Sequence, residues 1–571
     1  MNAERLLEVY EQISEAPDAI ARLRRFVLDL AVRGRLVEQD AKDEPANQLI
    51  EEVARERAKS RAHTTKKKKA SVAPVPFRGE LYTLPGGWTW SPLVDLSDVT
   101  MGQSPPGSTY NISGDGVPLI NGPVEFTDGP FGKTVVNQYT TEPTNFCEAG
   151  DFLICVRGST TGRTNVAAFR ACIGRGVAAV RSTFDDGFIR LFLWKSREDI
   201  IGMGRGIAFP SVSKKQLEQL AIPLPPLAEQ HRIVAKVDEL MALCDRLEEV
   251  RKTREETRDK LTAASLARLT APDTTAEDFP AHANFALEAL PALTTRPDQI
   301  KTLRQTILNL AVRGKLVEQD PTDEPASEFL KRIAGEKGRL VKAGEIRKQR
   351  TLPPIEDEET SFRLPTGWAW VRLGDLSQFV TSGSRDWAKF YANQGAMFVR
   401  MGNLSKDHYQ LRLENIQRVN PPATGEGTRT RLEGGDILIS ITGDVGMLGL
   451  IPEDFGDAYI NQHTAMVRPM SEMKGRYLPE LFRSPFAQDQ FNAPQRGIKN
   501  SFRLTDVTQF VVPLPPLAEQ HRIVAKVDAL MALCDRLEAA LTTTDTTRTR
   551  LLEALLHEAL EPSQNVMEAA E

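Results

Sequence analysis

Between residues 227 and 269 the chain has neither Pro nor Gly, and apolar or tolerated residues fall at Ile233, Val237, Leu240, Cys244 and Leu247. This 4-3 alternation predicts one long helix from about Leu227 to about Leu269 with a coiled-coil seam along one side. The stripe returns at Ile523, Val527, Leu530, Cys534 and Leu537, then resumes at Leu551 and Leu555. Two helices with matching stripes in one chain are expected to pack on each other as an antiparallel intramolecular coiled coil. At 1.5 Å per residue, some 40 residues make a rod of about 60 Å. Just before the first of these helices, prolines at Pro223, Pro225 and Pro226 forbid helix and predict an extended approach.

The pattern recurs because the sequence does. Residues 223–248 (PLPPLAEQHRIVAKVDELMALCDRLE) and 513–538 differ only at Glu239 against Ala529. A second repeat pairs residues 17–40 (PDAIARLRRFVLDLAVRGRLVEQD) with 297–320, each a one-sided helix expected to stop at Gly34 or Gly314, and a DEPA follows in both. A period this long marks two fused half-proteins rather than a solenoid. The spacing divides the chain into an N-terminal helical repeat segment (1–80), a first variable domain (81–222), a central long helix (223–270), a linker (271–295), a second helical repeat segment (296–350), a second variable domain (351–512), a C-terminal long helix (513–561) and a tail (562–571). The fold class is α+β: two mixed α/β domains on two long helices, related by a pseudo-two-fold internal duplication.

Residues 91–222 and 371–512 carry the difference between the halves. Short apolar runs near residues 152–156, 176–180, 397–400 and 437–441 alternate with Gly, Asn, Asp and Pro turns and predict strands. Each domain opens on a Trp pair (LPGGWTW, LPTGWAW) expected to anchor its first strand, and each contains a GD landmark, GDFLICVRGSTTG at 150 and GDILISITGDVG at 435. Two basic pieces, ending at Lys69 and Arg350, fit solvated helix ends better than phosphate-contacting strips. Near-identical helices want one environment twice, while diverged domains want different ligands.

Composition changes this picture little. A net charge of −5 gives no global basic field, so any nucleic-acid surface is local. Five cysteines without a CxxC pair point to a reducing cytoplasm and no metal. The N-terminus lacks a basic region with an apolar core and no apolar run approaches the roughly 18 residues of a membrane span, so neither secretion nor spanning is expected. No catalytic motif stands up. GPFGKT at 129 has Thr127 where a phosphate loop requires Gly, NPPA at 420 has Ala423 where a base-stacking aromatic belongs, and the seven histidines form no HExxH.

The order of variable domain, PLPPLAEQHRIVAKVD helix, ILNLAVRGKLVEQDPTDEPA, second variable domain and the helix again resembles the specificity (S) subunit of Type I restriction-modification enzymes. The resemblance covers essentially the whole chain. It implies a non-catalytic subunit whose two target recognition domains each read one half of a bipartite, asymmetric sequence in double-stranded DNA. The helices would set the spacer and dock two methyltransferase subunits, which bring S-adenosylmethionine and methylate adenine. Two restriction subunits using ATP and Mg would join them; the chain itself would bind no cofactor. A decoy that docks partners without reading DNA is the alternative.

Reading needs Arg, Lys, Asn or Gln side chains on loops to meet base edges, with other polar groups on the backbone. In the first domain the candidates are Asn121, Lys133, Arg157, Ser159, Thr160, Arg163, Arg205 and Ser211. In the second they are Arg400, Asn403, Thr442, Gly443, Asp444, Asn461, Gln462, Arg496, Lys499 and Asn500.

Overall fold

A computed structural model of the protein describes residues 15–62, 82–182, 184–204, 211–271, 274, 277–423, 426–493 and 501–560. The chain forms two compact units, Met1–Thr253 with Asp545–Glu571, and Arg254–Thr544. The boundary falls within both long helices, Leu227–Thr270 and Leu517–Leu560.

In the first unit the helical repeat segment supplies helices Ala19–Val32 and Ala46–Ala62. The first ends as its sequence predicts. Gly34 takes φ +66, and the N–H groups of Gly34 and Arg35 bond back to the carbonyls of Ala31 and Leu30, which satisfies the last turn. The glycine has a second reason to be there: a Cβ on Gly34 would lie 2.5 Å from Pro85 Cγ and against the Trp88 ring. Trp88 in turn donates its Nε1–H to Glu229 Oε2 at 2.9 Å, near the start of the central helix. Arg232, one turn on, pairs with Asp43 of the DEPA at 2.6 and 3.3 Å, and Ala46 N–H bonds to Gly87 O at 2.9 Å. The repeated sequences are therefore one joint in space.

The second unit builds the same joint again. Gly314 has φ +65 and a Cβ there would lie 2.4 Å from Pro365 Cγ. Trp368 donates to Glu519 at 3.0 Å, Arg522 pairs with Asp323 at 2.7 and 3.3 Å, and Ala326 N–H bonds to Gly367 O at 2.8 Å. Burial pushes the Glu229 and Glu519 carboxyls up, against the indole donors that pull them down.

In both copies the 4-3 stripe is buried at its Ile, Val and Cys positions and half-buried at its two leucines, and its partners lie within each unit. Ile233 and Val237 share a core with Leu28 and Ala31 of the helical repeat and with Phe188 and Leu193 of the first variable domain; Leu240 packs at its edge and Cys244 is buried. Ile523, Val527 and Cys534, with Leu530 and Leu537 beside them, join Ile307, Leu308 and Ala311 and the second variable domain in the same way. The short repeat helix thus supplies much of the surface that the stripe meets. Its other side is covered too: Ala16 and Ala19 pack on Leu552, Leu555 and Leu556, while Leu310 packs on Leu266, Leu269 and Ala286. Ala286 belongs to a helix, Phe279–Leu293, within the segment expected as a linker. Its apolar residues are numerous enough to cap the end of the central helix.

Each variable domain begins and ends in a two-stranded antiparallel clasp. Thr89–Pro92 pairs with Ala221–Leu224, and Ala369–Arg372 with Val511–Leu514, so the strand holding the second Trp of each pair lies beside the proline approach to the long helix. Inside the clasp, each domain has a four-stranded antiparallel sheet in the same order. In the first this is Ser97–Met101, Val177–Ser182, Phe152–Cys155, Thr164–Val166; in the second, Ser377–Ser382, Thr464–Pro469, Ile437–Ser440, Leu448–Leu450. The GD run that opens the third of these strands is apolar throughout because both faces are covered. Phe152 and Ile154 face the joint core while Leu153 and Cys155 face a second core; Ile437 and Ile439 divide from Leu438 in the same way. The GD landmark is a turn lock. Gly150 and Gly435 have positive φ, and the buried Asp151 and Asp436 hold Arg181 and Arg468 through paired hydrogen bonds of 2.6–2.8 Å.

The basic pieces have an inward use as far as they are described. Arg57 Nη1 bonds to Val94 O at 2.7 Å, and at the equivalent place Lys337 Nζ bonds to Gly374 O at 2.7 Å. Residues 63–81, with the lysine run, lie outside the described residues.

Candidate nucleic-acid interface

A second sheet in each domain carries the parallel strand pair that aims the candidate loops. In the first domain Val117–Ile120 runs parallel to Ala171–Ile173, and in the second Ala396–Val399 runs parallel to Ala458–Ile460. Asn121 and Arg400 are therefore the same position, the first residue beyond the strand. Both loops are pinned by a buried side chain. Glu125 accepts from the N–H groups of Asn121 (3.1 Å) and Gly122 (3.2 Å), and Asn403 accepts from Arg400 N–H (2.9 Å) while donating to Arg412 O (2.7 Å). Burial pushes the Glu125 carboxyl up against those two donors.

The loop after the GD strand obeys a shared backbone plan. Val156 N–H bonds to Gly176 O and Val212 N–H to Val156 O; in the second domain Ile441 N–H bonds to His463 O and Phe502 N–H to Ile441 O. One residue on, Arg157 bridges Ser211, and Thr442 bridges Ser501. The loops close alike at Gly162, bonded to Cys155 O, and at Gly446, bonded to Ser440 O. This correspondence aligns Gly174–Arg175–Gly176 with Asn461–Gln462–His463, since Val177 N–H bonds to Gly174 O as Thr464 N–H does to Asn461 O. Three loops meet in each domain on one hydrogen-bond plan, and their side chains differ.

Of the candidates in the first domain, Asn121, Arg157 and Ser211 come together here, with Ser159, Thr160 and Arg163 in the adjoining turn. Lys133 bridges Val166 at the far strand of the sheet. In the second domain Arg400, Thr442, Gly443, Asn461 and Gln462 converge: the place a Gly443 Cβ would occupy is 3.8 Å from the Met401 side chain, and the Thr442 hydroxyl is 2.6 Å from His463. Asp444 pairs loosely with Lys406 at 3.6 Å. Asn403 is corrected from a DNA-facing group to a loop pin, because both ends of its amide are engaged inside the fold and it is 6% exposed. Asn461 Oδ1 is likewise engaged, by His463 N–H and the Thr464 hydroxyl. Arg205, Arg496, Lys499 and Asn500 lie outside the described residues.

Arg24, Arg181, Arg296, Arg304 and Arg468 sit in ion pairs of 2.6–2.9 Å. Lys133, Arg157, Arg163 and Arg400 have no side-chain partner among the described residues. The same holds for Arg175 and Arg385, both exposed, which sequence reading missed. Arg175 lies between two glycines in a turn without an apolar rhythm. Only its alignment with Gln462 across the domains reveals it. Among the described residues no group of His, Cys, Asp and Glu is placed to hold a metal ion, and no helix is long and apolar enough to cross a membrane.

Each unit thus carries a copy of one frame, with a cluster of cationic and amide-bearing loops beyond its parallel strand pair. Comparison with known proteins gives the family. Residues 85–256 and 365–544 match the Type I restriction modification DNA specificity domain. The chain is 31% identical over 560 residues to the Type I restriction enzyme EcoAI specificity subunit of Escherichia coli, covering 95% of this chain and 94% of that one. It is 28% identical over 567 residues to the EcoEI specificity subunit of the same organism, with the same coverages. A solved structure from a study of complex assembly in the type I R-M system shares the fold, with a TM-score of 0.50, 20% identity, and coverage of 84% of this chain and 99% of that chain. The chain belongs to the Type I restriction-modification specificity subunits.

Proposed function

We propose that this chain is the DNA-reading, non-catalytic subunit of a Type I restriction-modification assembly, working in the cytoplasm. Each domain reads one half of a bipartite, asymmetric target. The duplicated helical frame fixes the spacer and offers one docking surface twice, to two methyltransferase subunits. Those subunits bring S-adenosylmethionine and methylate adenine, and two restriction subunits bring ATP and Mg. The observation that carries this reading is the contrast between joints repeated bond for bond and loop clusters that share a backbone but not side chains. A surface presented twice suits two copies of one partner, and two differing readers suit an asymmetric sequence.

Co-purification with the adjacent methyltransferase, followed by mapping of methylated adenines with and without this chain, tests the proposal. A bipartite motif that disappears on deletion is the expected result. Unchanged methylation would leave the decoy as the better account.

A further inference from the structure

Position 175 of the first domain and position 462 of the second stand at the centre of the loop clusters. On either side the backbone is fixed: Gly174 N–H bonds to Ile120 O and Gly176 O accepts from Val156 N–H. Gly174 is so tightly covered that a Cβ there would lie 2.1 Å from Asn121 Oδ1. The middle residue of each triplet keeps its side chain open to solvent, Arg175 exposed and Gln462 half-buried.

The residues placed there are both among the side chains that fit base edges two bonds at a time. A guanidinium matches O6 and N7 of guanine, and a carboxamide matches N6 and N7 of adenine. Arg175 needs little help, since its fork is planar and rigid, and Gly176 gives none. Gln462 is flexible and receives help. Its amide Nε2 donates to His463 Nε2 at 2.7 Å, which places the ring proton on Nδ1, where it is donated to Thr442 Oγ1 at 2.6 Å. One amide N–H and the amide oxygen remain for a base.

Resting on the reading proposed above, we infer that 175 and 462 are equivalent specificity-determining positions. Arg175 takes a guanine in one half-site, Gln462 takes an adenine in the other, and His463 is a positioning residue that holds the Gln462 amide through its link to Thr442.

The test maps methylated motifs made by the assembled complex carrying Arg175→Ala, Gln462→Ala, His463→Ala or His463→Gln. Arg175→Ala is expected to relax one G·C pair in one half-site, by roughly tenfold or more in discrimination, and leave the other half unchanged. Gln462→Ala relaxes one A·T pair in the other half. His463→Ala relaxes that same pair and no other, and His463→Gln, which keeps an acceptor for the Gln462 amide, restores part of the discrimination. An unaltered motif, relaxation at a pair of the other type, or equal loss at every site with the complex intact overturns the assignment. A chain that confers no bipartite motif even unsubstituted refutes the underlying reading instead.

Discussion

The joints of the two units and their loop clusters diverge by opposite rules. In the joints side chains are held constant: the Trp–Glu, Arg–Asp and Gly–Pro contacts of the first unit recur in the second within about 0.1 Å. In the loop clusters the backbone bonds are constant and the side chains vary, Asn121 against Arg400, Arg157 against Thr442, Gly176 against His463. On the function proposed above, a joint that meets the same partner twice cannot drift. A reader that must differ can change everything except the plan that aims it.

The largest expected effect tests whether the joints are equal. Trp88→Ala and Trp368→Ala each remove a buried ring and leave a buried glutamate without its donor, for roughly 3–5 kcal/mol in urea unfolding. Equal losses are expected, and a clear inequality would end the claim that one joint is used twice. Gly34→Ala and Gly314→Ala come next at roughly 1–3 kcal/mol, because alanine must adopt a left-handed backbone and crowd a proline. A change below a few tenths of a kcal/mol would show that the proline moves freely.

Acid titration sharpens the comparison with a smaller effect. Glu229 and Glu519 are raised by burial, so the folded state binds their protons more tightly than the unfolded chain. Their contribution is fully present below the ordinary value of 4.5 and is lost as pH rises through the raised folded pKa. Glu229→Gln and Glu519→Gln, measured by unfolding across that window, are each expected to flatten the fall. An unchanged slope would mean that the indole bond outweighs burial. The smallest effect on stability belongs to the loops. Arg157→Ala should stay within roughly 0.5 kcal/mol of the parent, yet change DNA binding, lowering the salt slope by about 1 if it meets a phosphate.

Much of this architecture was legible in the sequence. The long helices, the stop at Gly34 and the strands of the GD runs follow from period, punctuation and β-branched content, and the Trp anchor was expected as such. What escaped was whatever depends on pairing across distance. Nothing local in VEQDAKDEPA says that Asp43 waits for Arg232, or that Arg57 turns inward to Val94. Asn403 looked like a reader because amides on loops often are; only its two internal bonds show otherwise. Arg175 stayed hidden because its equivalent is a glutamine, and the equivalence lies in backbone bonds that residue types do not record.

The clasp has a topological consequence. Both ends of each variable domain leave through one pair of hydrogen-bonded strands, so the gap between the points where the domain meets its frame is set by that pair alone. Insertions or deletions anywhere inside the domain leave this gap unchanged. The second domain, longer between its clasp strands than the first, already shows such tolerance. Readers of unequal size can thus be mounted on identical supports without altering the supports.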